Sequence, residues 1–284
     1  MTLICQDILL DYKNVKNITM NFLNFVKKLS ISTAAIALIT ICSSFQDIST
    51  SDPAPSTNSK KKFTVVIDPG HGGDKPGARG RKSNEKDIVL DVSKKLKVEL
   101  QNRLNANVIL TRNTDVDVAF RTRSEIANKN HADLFISIHA NSANSNTRRN
   151  PQVRGTETLV LGFHRMNEQD VAIRENADML LEDNYKENNS DLGDFDPRDP
   201  SSYIVFKVMR RQYRDRSIRL ASLMQKEFAK SNRPNRGVKE QGLAVLARAS
   251  MPAVLTEIGF ISSPEEEDYI LSDSGQAEIV ENLF

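Results

Sequence analysis

The chain has 284 residues, 39% of them apolar and 27% charged, the profile of an ordinary globular protein with length enough for a sizeable core. Its 39 Lys and Arg nearly balance 37 Asp and Glu, leaving a formal charge of +2 and no electrostatic case for nucleic acid or a strongly anionic surface as a partner. Cys5 and Cys42, the only cysteines, both precede the part that reads as folded, which excludes a disulfide framework or a cysteine metal site there.

In chain order, the first feature is "MNFLNFVKKLSISTAAIALITICSS", opening at Met20. Lys27 and Lys28 precede an uncharged, mostly apolar run at 29–41 and then small residues. Residues 1–46 therefore read as a signal segment whose true start is Met20, with export to the periplasm or cell envelope as the expectation. The run is too short for a comfortable transmembrane helix, and an uncleaved membrane anchor is the alternative. Lipidation of Cys42 is disfavoured because bulky Ile41 stands where a small residue is expected. Residues 47–62, rich in Ser, Pro, Asn and Lys, read as a flexible linker.

From Phe63 the pattern alternates. "FTVVI" predicts a strand, "NEKDIVLDVSKKLKVELQNRL" a helix, "NVILT" a strand, "VAFRTRSEIANKNH" a helix and "DLFISIHA" a buried strand. "GTETLVLG" predicts a fourth strand. Residues 163–214 then form an unusually long connection, helical at "NEQDVAIRENADMLLEDN" and turn-rich through "NNSDLGDFDPRDPSSY". "DRSIRLASLMQKEFAK" predicts an amphipathic helix, "LAVLA" and "PAVLTEIG" strands, and "PEEEDYIL" and "GQAEIVENLF" helices. The expected fold class is α/β: a single domain with a mainly parallel sheet covered by helices on both faces. The sequence stops at Phe284 while its pattern is still helical, which reads as a truncation.

Chemistry-bearing residues gather at strand-to-loop junctions, where ligands bind in such folds. His71 follows the first strand in "VVIDPGHGGDKPGARG". Glu85 stands fourteen positions later in the first turn of a helix, with Asn84 or Ser83 available as its cap; His139 ends the third strand, and Glu257 ends a late one. Singly, each has a structural explanation. Glu85 favours the helix dipole, His71 suits a turn, His139 a strand end and Glu257 a solvated terminus. Together they offer a His-Glu-His set suited to one Zn2+ ion with a position left for water, and a second carboxylate as general base and acid. Zinc would lower the pKa of that water toward about 7 and polarise a carbonyl. His131 reads as a helix C-terminal residue, and His164 has no visible partner. Asp68, Pro69, Gly70, Gly72 and Gly73 shape the turn that aims His71. Asn141 orients a loop or contacts substrate, and Arg112 and Arg123 read as loop-fixing residues. Ala78 and Arg79 replace the Lys-Ser/Thr of a phosphate loop, and no "H-E-x-x-H" occurs.

"IDPGHGG", "NEKDIVLDVSKKL", "LTRNTD" with "RSEIAN", "FISIHAN" and "PAVLTEIGFISSPEEE" resemble, in order, the successive motifs of the zinc-dependent N-acetylmuramoyl-L-alanine amidases, over residues 63–284. The resemblance implies a mixed six-stranded sheet flanked by helices. It implies zinc ligands at His71, Glu85 and His139, a catalytic glutamate at Glu257, and hydrolysis of the amide joining N-acetylmuramic acid to L-alanine in peptidoglycan. The 163–214 segment resembles the insertion of cell-separation amidases, in which a helix covers the zinc cleft until a partner protein removes it. An insertion glutamate can then fill the metal's open position; "IRENADMLLED" offers Glu175 first and Glu182 second, against the alternative that these acids only solvate a helix face. The expected partners are peptidoglycan and an activator acting on the insertion, and the expected state is a monomer. The rival readings are a non-catalytic wall-binding or regulatory protein and a zinc hydrolase of another amide.

Overall fold

The computed structural model describes residues 62–143, 153–163, 169–183, 185–192, 195–207 and 213–284, all within the compact unit Lys61–Phe284. The signal segment, Met20, Cys5, Cys42, the linker up to residue 61 and His164 lie outside the described residues, as do parts of the 163–214 segment.

Six strands form one sheet: β1 (Thr64–Pro69), β2 (Asn107–Leu110), β3 (Leu134–Asn141), β4 (Thr156–Leu161), β5 (Asn235–Gln241) and β6 (Ala253–Phe260). Their spatial order is β2-β1-β3-β6-β4-β5, and every neighbouring pair is parallel except β4 and β6. The fold is therefore α/β with a mixed, mainly parallel sheet. Strands β1, β3 and β6 are buried along their whole length, as interior strands covered on both faces must be.

Helix α1 (Glu85–Leu104) buries Ile88, Val89, Val92, Leu96 and Leu100 at helical spacing and ends at Asn105, whose left-handed φ of 51° lets its N–H reach the carbonyls of Leu100 and Gln101. No side chain caps its start; Glu85 N bonds to Ala78 O instead. Helix α2 is Phe120–Lys129, α3 Asp170–Asn176, α4 Tyr185–Asn188, α5 Arg214–Lys230, α6 Ala244–Ala247, α7 Pro264–Leu271 and α8 Asp273–Leu283. α1 packs on β1, β2 and β3, α5 on β4 and β5, and α8 touches both helices. Val66, Phe135, Leu159 and Leu255 project from the sheet into a second cluster with residues of α2, α3 and α6.

Three elements differ from the sequence reading. "LAVLA" is not a strand: Ala244–Ala247 forms the short helix α6, buried at Ala244, Val245 and Leu246, because a brief apolar run enclosed by neighbours carries no periodicity to distinguish helix from strand. The strand lies just upstream in polar "NRGVKEQ", an edge strand whose half-exposed pattern hides it from a hydrophobicity reading. In the long segment, the expected helix stops at Asn176 and continues as a 3-10 turn, Ala177–Leu181, followed by α4 and further 3-10 turns at Ser190–Leu192 and Pro200–Lys207. Those turns bury Met179, Leu192, Tyr203 and Phe206, together with Phe195, in the same cluster as Leu159, Leu243 and Leu255. Phe195 meets Tyr203 and Phe206 edge-on, each with centroids 5.0 Å apart.

Candidate metal centre

The turn after β1 carries His71 in a left-handed conformation, φ 57°, unusual for a residue with a side chain. Two buried arginines hold it there. Arg123 donates to the carbonyls of Pro69, His71 and Val118 and to Asp68 Oδ1; Arg112 donates to the carbonyls of Pro69, Gly70, Thr114 and Lys86. Burial alone pushes the Asp68 carboxyl up. Arg123 and the hydroxyls of Thr111 and Ser137 outweigh it and hold the group below its ordinary value. Gly72, at φ 127°, lies where a Cβ would stand 2.2 Å from Val116 O, and Gly73 follows at φ 58°. Glycine is required at Gly72 both by backbone conformation and by this close approach.

His71, Glu85 and His139 converge with a fourth residue, Glu175 of α3. One ligand atom from each lies within 4.8 Å of the others, and all four residues are buried. His71 Nε2 stands 3.2 Å from Glu85 Oε2 and 3.2 Å from Glu175 Oε2; His139 Nδ1 stands 3.0 Å from Glu85 Oε1 and 2.9 Å from Glu175 Oε2. Backbone N–H groups of Ala78 and Ala140 donate to Glu85 and aim its carboxylate inward. Gly77, φ 67°, closes the cradle from one side, where a Cβ would lie 2.5 Å from His71 Cδ2 and 2.6 Å from Glu85 Oε2.

Electrostatics fit a cation at this point. Burial pushes Glu85 up, yet His71 and His139 bring it down to about 2 despite Glu175 nearby. Glu175 is held well below the carboxylate range, with His139 and Arg174 overcoming burial. Burial lowers the imidazoles, but Glu175 and Glu85 raise His139 to about 9, and Glu85, Asp178 and Glu175 raise His71 well above its ordinary value. Protons and a divalent cation are thus alternative ways to neutralise the same two carboxylates. His71 Nε2 and Glu175 Oε2 are buried without a hydrogen-bond partner among the described residues. Two imidazole nitrogens, a carboxylate of α1 and a further carboxylate form a donor set that fits zinc.

Glu257 lies beside this cluster, fully buried on β6 and directly across from His139 on β3. The β3–β6 register shifts between His139 and Asn141, an irregularity typical of strand ends at functional sites. Burial pushes Glu257 up, Arg174 pulls it down, and Glu175 and Glu85 push it again, leaving it well above the carboxylate range. Arg174 Nη2 donates to Glu257 Oε1 at 2.9 Å and Nη1 to Asn141 Oδ1 at 2.8 Å. Glu182 is not at the cluster. Its Oε1 instead accepts from Phe120 N at 2.8 Å, fastening the segment to the N-terminus of α2.

Three participants escape a reading of the sequence. Asp178, from the 3-10 turn, accepts from His71 Nδ1 at 2.7 Å, leaving Nε2 for the centre. Arg174 and Gly77 are the others, and only the adjacency of Arg174 to Glu175 could have pointed to it. His131 follows the end of α2 at a left-handed φ of 48° and is not among the four clustered residues.

A family model described as N-acetylmuramoyl-L-alanine amidase matches residues 65–284. Among curated proteins, the N-acetylmuramoyl-L-alanine amidase AmiC of Escherichia coli O6:H1 is 28% identical over 237 residues, 82% of this chain and 54% of its own length. AmiA of Escherichia coli K12 is 32% identical over 212 residues, 72% of this chain and 68% of its own. The chain spans about half the length of relatives such as AmiC, 54%. Among solved structures, the catalytic domain of the amidase CwlV from Bacillus (Paenibacillus) polymyxa superposes with a TM-score of 0.55 at 26% identity, covering 78% of this chain and 93% of that one. An N-acetylmuramoyl-L-alanine amidase of Clostridium difficile 630 gives 0.56 at 26%, covering 78% and 92%.

Proposed function

The chain belongs to the N-acetylmuramoyl-L-alanine amidase family, and from that premise and the geometry of the site we propose that it hydrolyses the amide between the lactyl group of N-acetylmuramic acid and L-alanine in peptidoglycan. The observation that carries this reading is the convergence of His71, Glu85 and His139 on one point, with Glu257 on the adjacent strand facing His139. These three residues would hold one zinc ion, which when bound supplies Lewis acidity that polarises the scissile carbonyl and acidifies water. Glu257 Oε1 takes a proton from the attacking water as its oxygen bonds to the carbonyl carbon. As the C–N bond breaks, its electron pair goes to nitrogen, which receives that proton from Glu257. The new carboxylic acid then gives up its proton, so the products are a carboxylate and an ammonium.

The enzyme is self-inhibited in this reading. Glu175 brings a competent ligand oxygen to the corner that water needs, and Arg174 covers Glu257 Oε1. Residues 163–214 act as a regulatory insertion that an activator protein displaces. The substrate implies export to the periplasm or envelope and a role in wall remodelling or daughter-cell separation. Among the described residues no helix is long and apolar enough to cross a membrane.

The test uses the whole chain, stripped of metal and reloaded with zinc, on purified peptidoglycan. Glu175→Ala releases L-alanine amino termini at least about tenfold faster than the unaltered chain, and adding Glu257→Ala abolishes release. If zinc is bound and neither Glu175→Ala nor Arg174→Ala/Glu175→Ala is faster than the parent, self-inhibition is wrong. No release from any of them favours the wall-binding reading.

A further inference from the structure

Glu157 has no part in the reaction above, yet it lies directly opposite Glu257 in the antiparallel β4–β6 pair and is 1% exposed. A buried carboxylate is costly unless its oxygens are satisfied, and three neighbours satisfy this one. Asn141 Nδ2 donates to Oε1 at 2.7 Å; Lys239 Nζ and Arg236 Nε reach Oε2 from β5. Because a carboxylate only accepts, the amide of Asn141 must turn its NH2 toward Glu157 and its oxygen the other way. That oxygen accepts from Ser142 N at 2.8 Å and from Arg174 Nη1 at 2.8 Å.

The same guanidinium donates to Glu257 Oε1, so one planar fork from α3 spans two acceptors supplied by β3 and β6. Glu257 is fully buried, and its Oε2 has no hydrogen-bond partner among the described residues. Two acceptors facing one nitrogen-bearing cation describe a place for a nitrogen that donates. The amidase reaction ends on a cationic group of this kind, the departing ammonium.

We propose that Asn141 Oδ1 and Glu257 Oε1 form the subsite for the departing α-ammonium, that Glu157 is the positioning residue setting the orientation of Asn141, and that Arg174 is an internal occupant of this subsite. The proposal rests on the amidase reading. Arg174 and Glu175 then obstruct two different things, the nitrogen subsite and the metal corner. A peptide carrying a free α-amine competes with Arg174, whereas an N-acetylated one lacks the ammonium that both acceptors favour.

The test is calorimetric binding of a synthetic tripeptide that begins with L-alanine, free or N-acetylated, to the zinc-loaded whole chain. Arg174→Ala/Glu175→Ala binds the free-amine peptide at least about tenfold more tightly than the parent, with no such gain for the acetylated peptide. Adding Glu157→Gln keeps the gain to within about threefold, since a glutamine oxygen still accepts from Asn141; adding Glu157→Met or Asn141→Ala loses it. Both Glu157 variants break the pairs with Lys239 and Arg236, so equal behaviour of Gln and Met overturns the positioning role. Equal gain for both peptides, or no binding of the free-amine peptide, overturns the subsite. Binding that follows the pattern while peptidoglycan releases no amino termini sinks the amidase reading and leaves the subsite standing. Release with Gln and Met alike does the reverse.

Discussion

His71 shows how much surrounding structure one candidate ligand demands. Its left-handed φ of 57° is held by the Arg123 bond to its carbonyl, and its Nδ1 by Asp178. A partner on the far nitrogen fixes the tautomer and ring direction, and removing such partners costs about 10–100-fold in metal affinity. Asp178→Ala is therefore expected to weaken zinc binding by that factor, read by competition with a chromogenic chelator. Gly77→Ala acts from the opposite side. Its Cβ would stand 2.5 Å from the His71 ring and 2.6 Å from Glu85 at a backbone φ of 67°, so both the metal cradle and the turn must shift. The expected outcome is loss of stoichiometric zinc together with a fall in thermal midpoint corresponding to about 1–3 kcal/mol.

At the scale of elements, α3 is fastened to the body by buried amides as well as by charge. Asn176 donates to Gly242 O at 2.7 Å and accepts from Ala244 N at 2.9 Å, while Gln169 accepts from Gly242 N and Gln241 from Ala172 N. These bonds join α3 to the β5–α6 junction without touching the candidate metal cluster. Losing those of Asn176 leaves a buried N–H and C=O unpaired, at about 1–3 kcal/mol. Asn176→Ala is expected to speed hydrogen exchange in α3 and raise basal wall hydrolysis, with zinc content unchanged. Raised activity without faster exchange would mean that α3 is not the restraint. The apolar side of the 163–214 segment, with Met179, Leu192, Phe195, Tyr203 and Phe206, shares one core with Leu243 and Leu255. Displacement of α3 alone is thus far cheaper than removal of the whole segment, which would expose that core to water.

Across the molecule, the sheet order brings the chemistry together. β1 and β6 flank β3, so the turn after β1, the end of β3 and the end of β6 meet at one edge. Beneath that edge the buried Asp68–Arg123 pair ties β1 to α2, and Thr111 and Ser137 tie it to neighbouring β2 and β3. The folded pKa of Asp68 lies below its unfolded value of about 3.9, so its contribution is fully present above that value and is lost as pH falls through the lower folded value. The thermal midpoint is expected to fall more steeply below about pH 4 in the parent than in Asp68→Asn, as calorimetry at stepped pH would reveal. Parallel slopes would show that Asp68 is not among the groups that set acid stability.

Much of this was legible before any fold was known. Long helices such as α1 and α5 repeat apolar residues at 3–4 spacing, which periodicity identifies, and β1, β3 and β6 are short, largely apolar runs of strand length that end at loops. His71, Glu85, His139 and Glu257 stand at strand-to-loop junctions in motif order, which nominates them jointly. Tertiary structure decided the rest. Periodicity is silent for a buried four-residue helix such as α6 and for a polar edge strand such as β5, because their character depends on neighbours remote in sequence. The choice between Glu175 and Glu182 is likewise three-dimensional: seven positions apart in one acidic segment, one reaches two histidines and the other the start of α2. Asp178, Arg174 and Glu157 acquire their roles from bonds spanning 107, 83 and 16 positions, to His71, Glu257 and Asn141. Local sequence fixes which groups a chain owns; only packing fixes which of them share the dry space where charge must be neutralised.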